Sequence, residues 1–448
     1  MPRGLTPIWK KRKDSSASTE SSGTAVWAPT FQPGEAYSVA MDAADPLAHF
    51  RDCFHIPKTK SGEEGIYLCG HSLGLQPKSA RTYLEQVVKD WAELGVEGHF
   101  HAKTPWITYQ RLLTGQTAAL VGAKPVEVVV MNSLTVNLHL MMASFYRPTP
   151  QRHKILIERG AFPSDQYAVK SQIHFHNYAP SASLIELTPR EGESCIRDED
   201  IESLIDREGE SIALILLGGV NYATGQFFNI PEITRAGRGK GCIVAFDLAH
   251  AVGNIPLHLH DWAPDFAVWC SYKYLNGGPG CLAGCFVHER HSQSWDLPRY
   301  AGWWGHDERT RFMMAPDFHP TPGAEGWQLS NPPIVALAPL RASMEIFSEA
   351  GMERVRKKSM SLTGYMEFLL REKASPMYSI ITPCDPERRG AQLSIRLPNG
   401  RTLCDRLSAD GVIGDWREPD TYRVAAVPLY NSFRDVYRFV QRFTAALS

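Results

Sequence analysis

The chain has no excess charge of either sign: 47 lysines and arginines stand against 48 aspartates and glutamates in 448 residues. That balance excludes a broad electrostatic pull towards nucleic acid or an anionic membrane, so neither is expected as a partner. Long hydrophobic runs are missing too, and no stretch approaches the ~20 apolar residues of a membrane span. Cysteines number nine, dispersed at Cys53, Cys69, Cys195, Cys242, Cys270, Cys281, Cys285, Cys384 and Cys404. An odd, scattered set in a long chain reads as reduced thiols in a cytoplasmic protein rather than a disulfide framework. Cys281 and Cys285 lack the second pair that a zinc site needs and are expected to pack in a sheet, so no metal is expected. The N-terminus shows no secretory pattern. Residues 1–34 carry Lys10-Lys11-Arg12-Lys13 and then a Ser/Thr-rich run from Asp14 to Gly23. With few apolar residues to offset ordering entropy, they read as a solvated, disordered tail, with a localisation signal as the alternative.

What is present is alternation. From about Gly65, short apolar runs alternate with longer helical patterns, the signature of βαβ units and a mainly parallel sheet. Helices are expected at Ser79–Leu94 and Thr135–Phe145. Strands are expected at Val126–Met131, Lys154–Ile157, Leu184–Leu187, Ile212–Leu217, Ile243–Phe246, Phe266–Cys270 and Gly284–His288. Gly237, Gly239 and Gly241 read as a helix stop, not a nucleotide loop, because no strand precedes them. After Pro333 come two long helical patterns, Ile334–Glu349 and Met352–Glu372. Strand-like runs follow at Tyr378–Thr382, Ala391–Leu397 and Tyr422–Ala425, then a closing helix at Ser432–Leu447. The chain is too long for one core. The expected class is α/β, with a large domain at 65–320 whose mainly parallel central sheet is flanked by helices. A smaller α+β domain follows at 321–448, with residues 35–64 packed on it. Arg354, Arg356, Lys357 and Lys358 read as a solvated helix face. The pairs His99/His101, His174/His176 and His258/His260 alternate as strand faces do.

Two residues carry the chemistry. Lys273 lies in Ser271-Tyr272-Lys273-Tyr274-Leu275-Asn276-Gly277-Gly278, directly after an apolar strand pattern. Asp247 ends another such strand, 26 residues upstream. A lysine that forms a Schiff base and an aspartate that holds a pyridinium proton are what pyridoxal 5'-phosphate requires. Asn132-Ser133-Leu134-Thr135, between a strand and a helix, suits a phosphate or serves as an ordinary N-cap. Phe162-Pro163-Ser164-Asp165 places a loop aromatic to stack on a flat heterocycle, or to pack on the core. His250 shares a helical face with Asp247.

Across roughly residues 40–448 the chain resembles the kynureninases, pyridoxal-phosphate hydrolases of the aspartate-aminotransferase superfamily. The motifs are Asn132-Ser133-Leu134-Thr135-Val136-Asn137-Leu138-His139, Ala161-Phe162-Pro163-Ser164-Asp165 and Phe246-Asp247-Leu248-Ala249-His250-Ala251. Trp269-Cys270-Ser271-Tyr272-Lys273-Tyr274, Gly302-Trp303-Trp304-Gly305-His306, Ser330-Asn331-Pro332-Pro333 and Arg423-Val424-Ala425 complete the set. The resemblance implies that Leu134, Thr135 and Tyr272 bind the phosphate. Phe162 would stack on the ring, Asp165 and His250 would lie beside it, and Asp247 would pair with its nitrogen. Pro163, Ser164 and Gly218 would belong to the same cofactor site. Arg423 would hold the substrate carboxylate, with His71 and Ser72 on the substrate side and His99 near the aromatic amine. Trp303 and Asn331 would come from the neighbouring subunit of a homodimer.

Two departures stand out. The family pattern Gly-Asn-Ser-Leu-Gly reads Gly70-His71-Ser72-Leu73-Gly74 here, and some members carry Ser where Gly218 stands. The implied activity is hydrolysis of kynurenine or 3-hydroxykynurenine, in tryptophan catabolism and NAD biosynthesis. Two alternatives stay open: a cysteine-desulfurase-like lyase, or a non-catalytic module of the same fold.

Overall fold

The computed structural model describes residues 30–447, so most of the expected tail, residues 1–29, lies outside the description. Thirteen strands occur in chain order among the described residues. They are β1 (Ile66–Tyr67), β2 (Val128–Met131), β3 (Lys154–Glu158), β4 (Leu184–Leu187), β5 (Ile212–Gly218), β6 (Ile243–Asp247) and β7 (Phe266–Cys270). β8 (Ala283–Val287), β9 (Ser379–Ile380), β10 (Gln392–Arg396), β11 (Val412–Ile413), β12 (Asp415–Arg417) and β13 (Thr421–Ala425) follow. Seven of them form the main sheet in the order β2-β8-β7-β6-β5-β3-β4. Only β8 runs against the others, pairing antiparallel with both β2 and β7.

Side-chain alternation divides this sheet between two cores. Val128, Val130, Leu156, Leu217, Phe246 and Trp269 face one. Val129, Met131, Ile157, Leu216, Ala245 and Val268 face the other. Burial on both faces is why these strands read as continuous apolar runs, as in sheets covered by crossover helices. Trp269 sits opposite Gly284, where an added Cβ would lie 2.1 Å from the indole, so that glycine makes room for the largest side chain behind the Lys273 loop.

A four-stranded antiparallel sheet, β12-β13-β10-β9, forms in the last quarter of the chain. The Tyr378–Thr382 pattern yields only the two-residue β9. The helix Ile334–Ala350 packs on Ala80–Leu94. The N-terminal helix Glu35–Ala43 packs on the closing helix Phe433–Leu447, and Asp42 accepts the Phe433 N–H (2.7 Å) at that helix's start. β1 pairs in parallel with β11. The described residues from Pro33 onward pack as one compact unit.

The structure corrects two expectations. Only Arg354 and Lys357 of the basic cluster are solvated; Arg356 and Lys358 are buried. Arg356 donates to the carbonyls of Arg389 and Pro386, and Lys358 pairs with buried Asp45 at 2.6 Å. Both fall on the helix face that also buries Val355, Ser359 and Leu362, so their charges are met by fixed partners instead of water. The alternating histidines are not on strands. His99 and His101 lie in the helix Gly98–His101, His174 lies in the last turn of the helix Pro163–Phe175, and His260 sits in the helix Leu259–Trp262.

Candidate active site

Four parallel strands end at one edge: β3 at Glu158, β5 at Gly218, β6 at Asp247 and β7 at Cys270. Gly218 lies beside Asp247 in register. The chain leaves each strand there, and the loops that follow line one pocket, the usual ligand position in an open α/β sheet. Asp247 and Lys273 both line it, so the two residues that the sequence singles out share one site.

Two helices begin at the same place, Leu134–Phe145 and Pro163–Phe175. Asn132 turns the chain at φ 49°, and Ser133 makes no side-chain cap, so the first-turn N–H groups point into the pocket uncapped. Thr135 Oγ1 lies 2.8 Å from Ser164 Oγ, which brings the two helix starts together. Converging N–H groups, two hydroxyls and two helix dipoles suit a phosphate. Pro163 opens the second helix, where its missing N–H costs nothing, and does not itself line the pocket. Phe162 is 42% exposed and meets Tyr222 edge-on at 5.3 Å, leaving a ring face free to stack.

Three carboxylates cluster at the strand ends. Burial pushes Glu158 up to about 7, although the Gly218 N–H, 3.1 Å from Oε2, favours its anion. Burial, then the charges of Asp247 and Glu158, holds Asp165 well above the usual carboxylate range; its Oδ1 is buried without a hydrogen-bond partner. Asp247 is raised by burial, against the opposing pull of Lys273 and the Ala249 N–H, which donates to Oδ1 at 2.8 Å. This acidic floor calls for a cationic or N–H-bearing ring. Opposite it, Lys273 Nζ lies 3.0 Å from His250 Nε2, and burial followed by the Lys273 charge keeps His250 well below its ordinary range. Tyr272 is pushed up by burial and by Cys270, so its hydroxyl keeps its proton.

Glu158 carries a pH consequence. Its folded value lies above the ordinary 4.5. Between those values the folded chain holds a proton that the unfolded chain has lost. Stability of the cofactor-free protein therefore falls as pH rises through that window, and the full cost is present above it. Glu158→Gln keeps an acceptor for Gly218 and removes the charge. We expect it to stabilise the cofactor-free protein by roughly 3 kcal/mol at pH 8 and not at pH 4. Thermal melts at the two pH values check this; an equal effect at both would refute it.

Arg423 and His71 adjoin the pocket. One Arg423 guanidinium nitrogen donates to the Tyr222 carbonyl at 2.6 Å, and the other pairs with Asp415. The His71 ring lies 6.4 Å from that of His250. The Gly74 N–H donates to the Tyr272 carbonyl at 2.8 Å, and a Cβ at Gly74 would sit 2.3 Å from the Lys273 carbonyl. That close approach brings the His71–Gly74 segment against the lysine loop. Ser72 lies on this segment but not on the pocket lining.

His99, Trp303 and Asn331 are also absent from the pocket lining. His99 bonds to the Val96 carbonyl and packs on Trp106. Trp303 is 43% exposed and donates to the Arg311 carbonyl, and Asn331 is exposed. Glu158, Tyr222 and Asp415 were not anticipated. Glu158 had a signal, an acid placed one residue beyond an apolar run, in the position that Asp247 holds on its own strand.

Comparison with known proteins agrees with this geometry. A family model described as the kynureninase C-terminal domain matches residues 355–443. The kynureninase of Koribacter versatilis is 65% identical over 94% of this chain and all of that protein. That of Myxococcus xanthus is 58% identical over 92% of this chain and 97% of its own. Among solved structures, the cysteine desulfurase CsdA of Escherichia coli superposes with a TM-score of 0.73 at 17% identity, covering 90% of this chain and 98% of that one. The cystine C-S lyase C-DES, in complex with cysteine persulfide, gives 0.71 at 16% identity, over 85% and 97%. These distant structures share the fold alone, whereas the near full-length identity is with kynureninases. The chain belongs to the kynureninase family.

Proposed function

We propose that this chain hydrolyses the Cβ–Cγ bond of L-kynurenine, its 3-hydroxy form or both, releasing L-alanine and anthranilate or 3-hydroxyanthranilate, with pyridoxal 5'-phosphate as cofactor. The activity serves tryptophan catabolism and NAD biosynthesis. The observation that carries this reading is Lys273 and Asp247 lining one pocket, in a chain 65% identical to a kynureninase along nearly its whole length.

The donor set fits the cofactor. The unpartnered Asp165 Oδ1 and the acidic floor suit a protonated pyridine ring, and the two helix starts suit its phosphate. Leu134, Thr135, Ser164 and Tyr272 would hold the phosphate and Phe162 would cover the ring. Asp247 would keep the ring nitrogen protonated, with Asp165 and His250 beside it. Gly218 offers no hydroxyl, so its backbone alone faces the ring. Bound there, pyridoxal phosphate supplies an electron-withdrawing ring conjugated to the substrate's amino nitrogen.

The chain's residues do the rest. Lys273 would anchor the cofactor and, when free, would take the substrate's α-proton. His250 Nε2, held neutral, orients the lysine nitrogen. Arg423 receives the substrate carboxylate, with His71 and Ser72 on that side and His99 towards the aromatic amine. Tyr272, with its retained proton, is the general acid for the steps that follow attack of water on the γ-carbonyl. Supplying the purified protein with cofactor and each kynurenine tests this. Equal amounts of alanine and the aryl amine are expected; alanine from cysteine instead would favour the desulfurase reading. That rival needs a reactive thiol, for which Cys384 and Cys404 are the candidates; Cys404 is buried with its thiol pushed up to about 12, and neither it nor exposed Cys384 lines the pocket. A colourless protein unaltered by amino acids would favour the non-catalytic module.

The working unit is a homodimer in which Trp303 and Asn331 reach the partner's pocket. The exposure of both, and of Phe312, Met313 and Met314 on the segment that Trp303 meets edge-on at Phe312, supports this. Mixing a Lys273→Ala variant with an Asn331→Ala variant should then restore roughly a quarter of wild-type turnover through hybrid dimers with one intact site. Activity no higher than the sum of the separate variants would count against it. Nine unpaired cysteines support a cytoplasmic location, and no helix among the described residues is long and apolar enough to cross a membrane.

A further inference from the structure

Arg423 is 1% exposed, and both of its terminal nitrogens are already engaged, one by the Tyr222 carbonyl and one by Asp415 Oδ2. Asp415 and Arg423 are direct cross-strand partners of β12 and β13, so the sheet register holds the carboxylate against the guanidinium. Arg417 reaches the same Oδ2 at 2.9 Å. Next to it stands His71, fully buried, with neither ring nitrogen hydrogen-bonded. Its Nε2 lies 3.6 Å from Asp415 Oδ2, just beyond a formed hydrogen bond. A buried imidazole with both nitrogens unpaired is unusual and points to a state in which they are used.

A substrate carboxylate arriving at Arg423 competes with Asp415 for the same N–H groups. We propose that Asp415 is the resident counter-ion of Arg423, and that the substrate carboxylate displaces it onto His71, whose ring takes up a proton from solvent. The charges balance: the ligand brings one negative charge into a buried site, and the new imidazolium brings one positive charge. This rests on Arg423 as the carboxylate site.

The groups facing His71 support it. Asp415 and Arg417 of β12 and Arg423 of β13 lie on one side, Lys273 and His250 lie across the pocket, and Cys69 lies on its own segment. Without ligand, burial, Arg423 and Lys273 push His71 down to about 3, against the pull of Asp415. A carboxylate on Arg423 cancels the nearest repelling cation and leaves Asp415 facing the ring. Asparagine, the residue at this place in the family pattern, can donate to Asp415 but cannot take a proton. His71 and Asp415 thus act as positioning residues for Arg423.

The test uses kynurenine without its α-amino group, which keeps the carboxylate and aryl ketone but cannot bond to the cofactor. The holoenzyme is titrated by calorimetry near pH 7 in phosphate and in Tris, buffers of different protonation enthalpy. The expected result is net uptake approaching one proton per ligand bound, and affinity that rises as pH falls. His71→Asn should bind the analogue without that uptake, and Asp415→Asn should also lose it, which covers the case where one variant fails to fold. Equal heats in the two buffers for wild type, or uptake that survives His71→Asn, would overturn the proposal. The two readings fail separately. A wild type that cleaves kynurenine without proton uptake sinks only this inference. Uptake without any kynurenine cleavage sinks only the proposed activity.

Discussion

Lys273→Ala protein is expected to lose its visible cofactor absorbance and its turnover of both kynurenines. The loss of absorbance follows because no other amine takes the place of Nζ at the pocket. General acid–base action alone is worth about 10²- to 10⁴-fold, and the covalent anchor is lost with it, so the residual rate should fall below that range. Lys273→Arg separates chemistry from electrostatics. It keeps a cation opposite Asp247 and beside His250, so the pocket's charge balance and the fold persist, yet band and turnover are still lost. Absorbance spectra with and without borohydride reduction, together with product assays, check both variants. A Lys273→Ala protein that still carries the band and releases alanine would end the account of this site.

Asp247→Ala should lower kcat by about 10²- to 10⁴-fold with a much smaller change in KM. A buried ion pair broken from one side costs about 3–5 kcal/mol, and each 1.4 kcal/mol is tenfold in rate. On the proposed reading the pair would form between Asp247 and the ring nitrogen and would matter most in the transition state, so the loss belongs in kcat. A second readout follows from the carboxylate cluster. Asp165 is held up first by burial and then by the Asp247 charge, so removing Asp247 lets Asp165 ionise at lower pH and partly take over. The pH profile of the residual rate should therefore rise from the acid side with the ionisation of Asp165, and Asp247→Ala/Asp165→Asn should remove that limb. A large KM effect with kcat intact would show that Asp247 serves binding alone.

Much of the fold is legible along the chain. Phe266–Cys270 appears as a strand with the bounds that its pattern suggests, because a strand buried along its whole length is an unbroken apolar run; the edge strand Leu184–Leu187 has the suggested bounds too, although Glu186 is exposed. Lys273 and Asp247 stand out for the same reason: a charge directly after such a run is forced to the sheet edge. Helices on the rim are harder to read. Asp198–Glu208 buries only Ile201 and Ile205, and Arg401–Ala409 only Leu403, Cys404 and Leu407, too few for a marked stripe. Arg356 and Lys358 mislead, since a basic run looks solvated until its buried acceptors are known.

Sequence alone determined the order of the main-sheet strands and of the longest helices, the family, and the lysine and aspartate on which the proposed chemistry rests. These follow from local patterns of apolar and charged residues. Only tertiary structure decided that Glu158 joins Asp165 and Asp247 in one acidic floor, and that the segment carrying His71 lies against the lysine loop through Gly74. It also decided that Asp415 sits across a strand pair from Arg423. Each of these depends on register or close backbone approach between distant segments, and burial then sets the charge states. No local pattern encodes the low dielectric that neighbours from elsewhere in the chain create around a buried acid or imidazole.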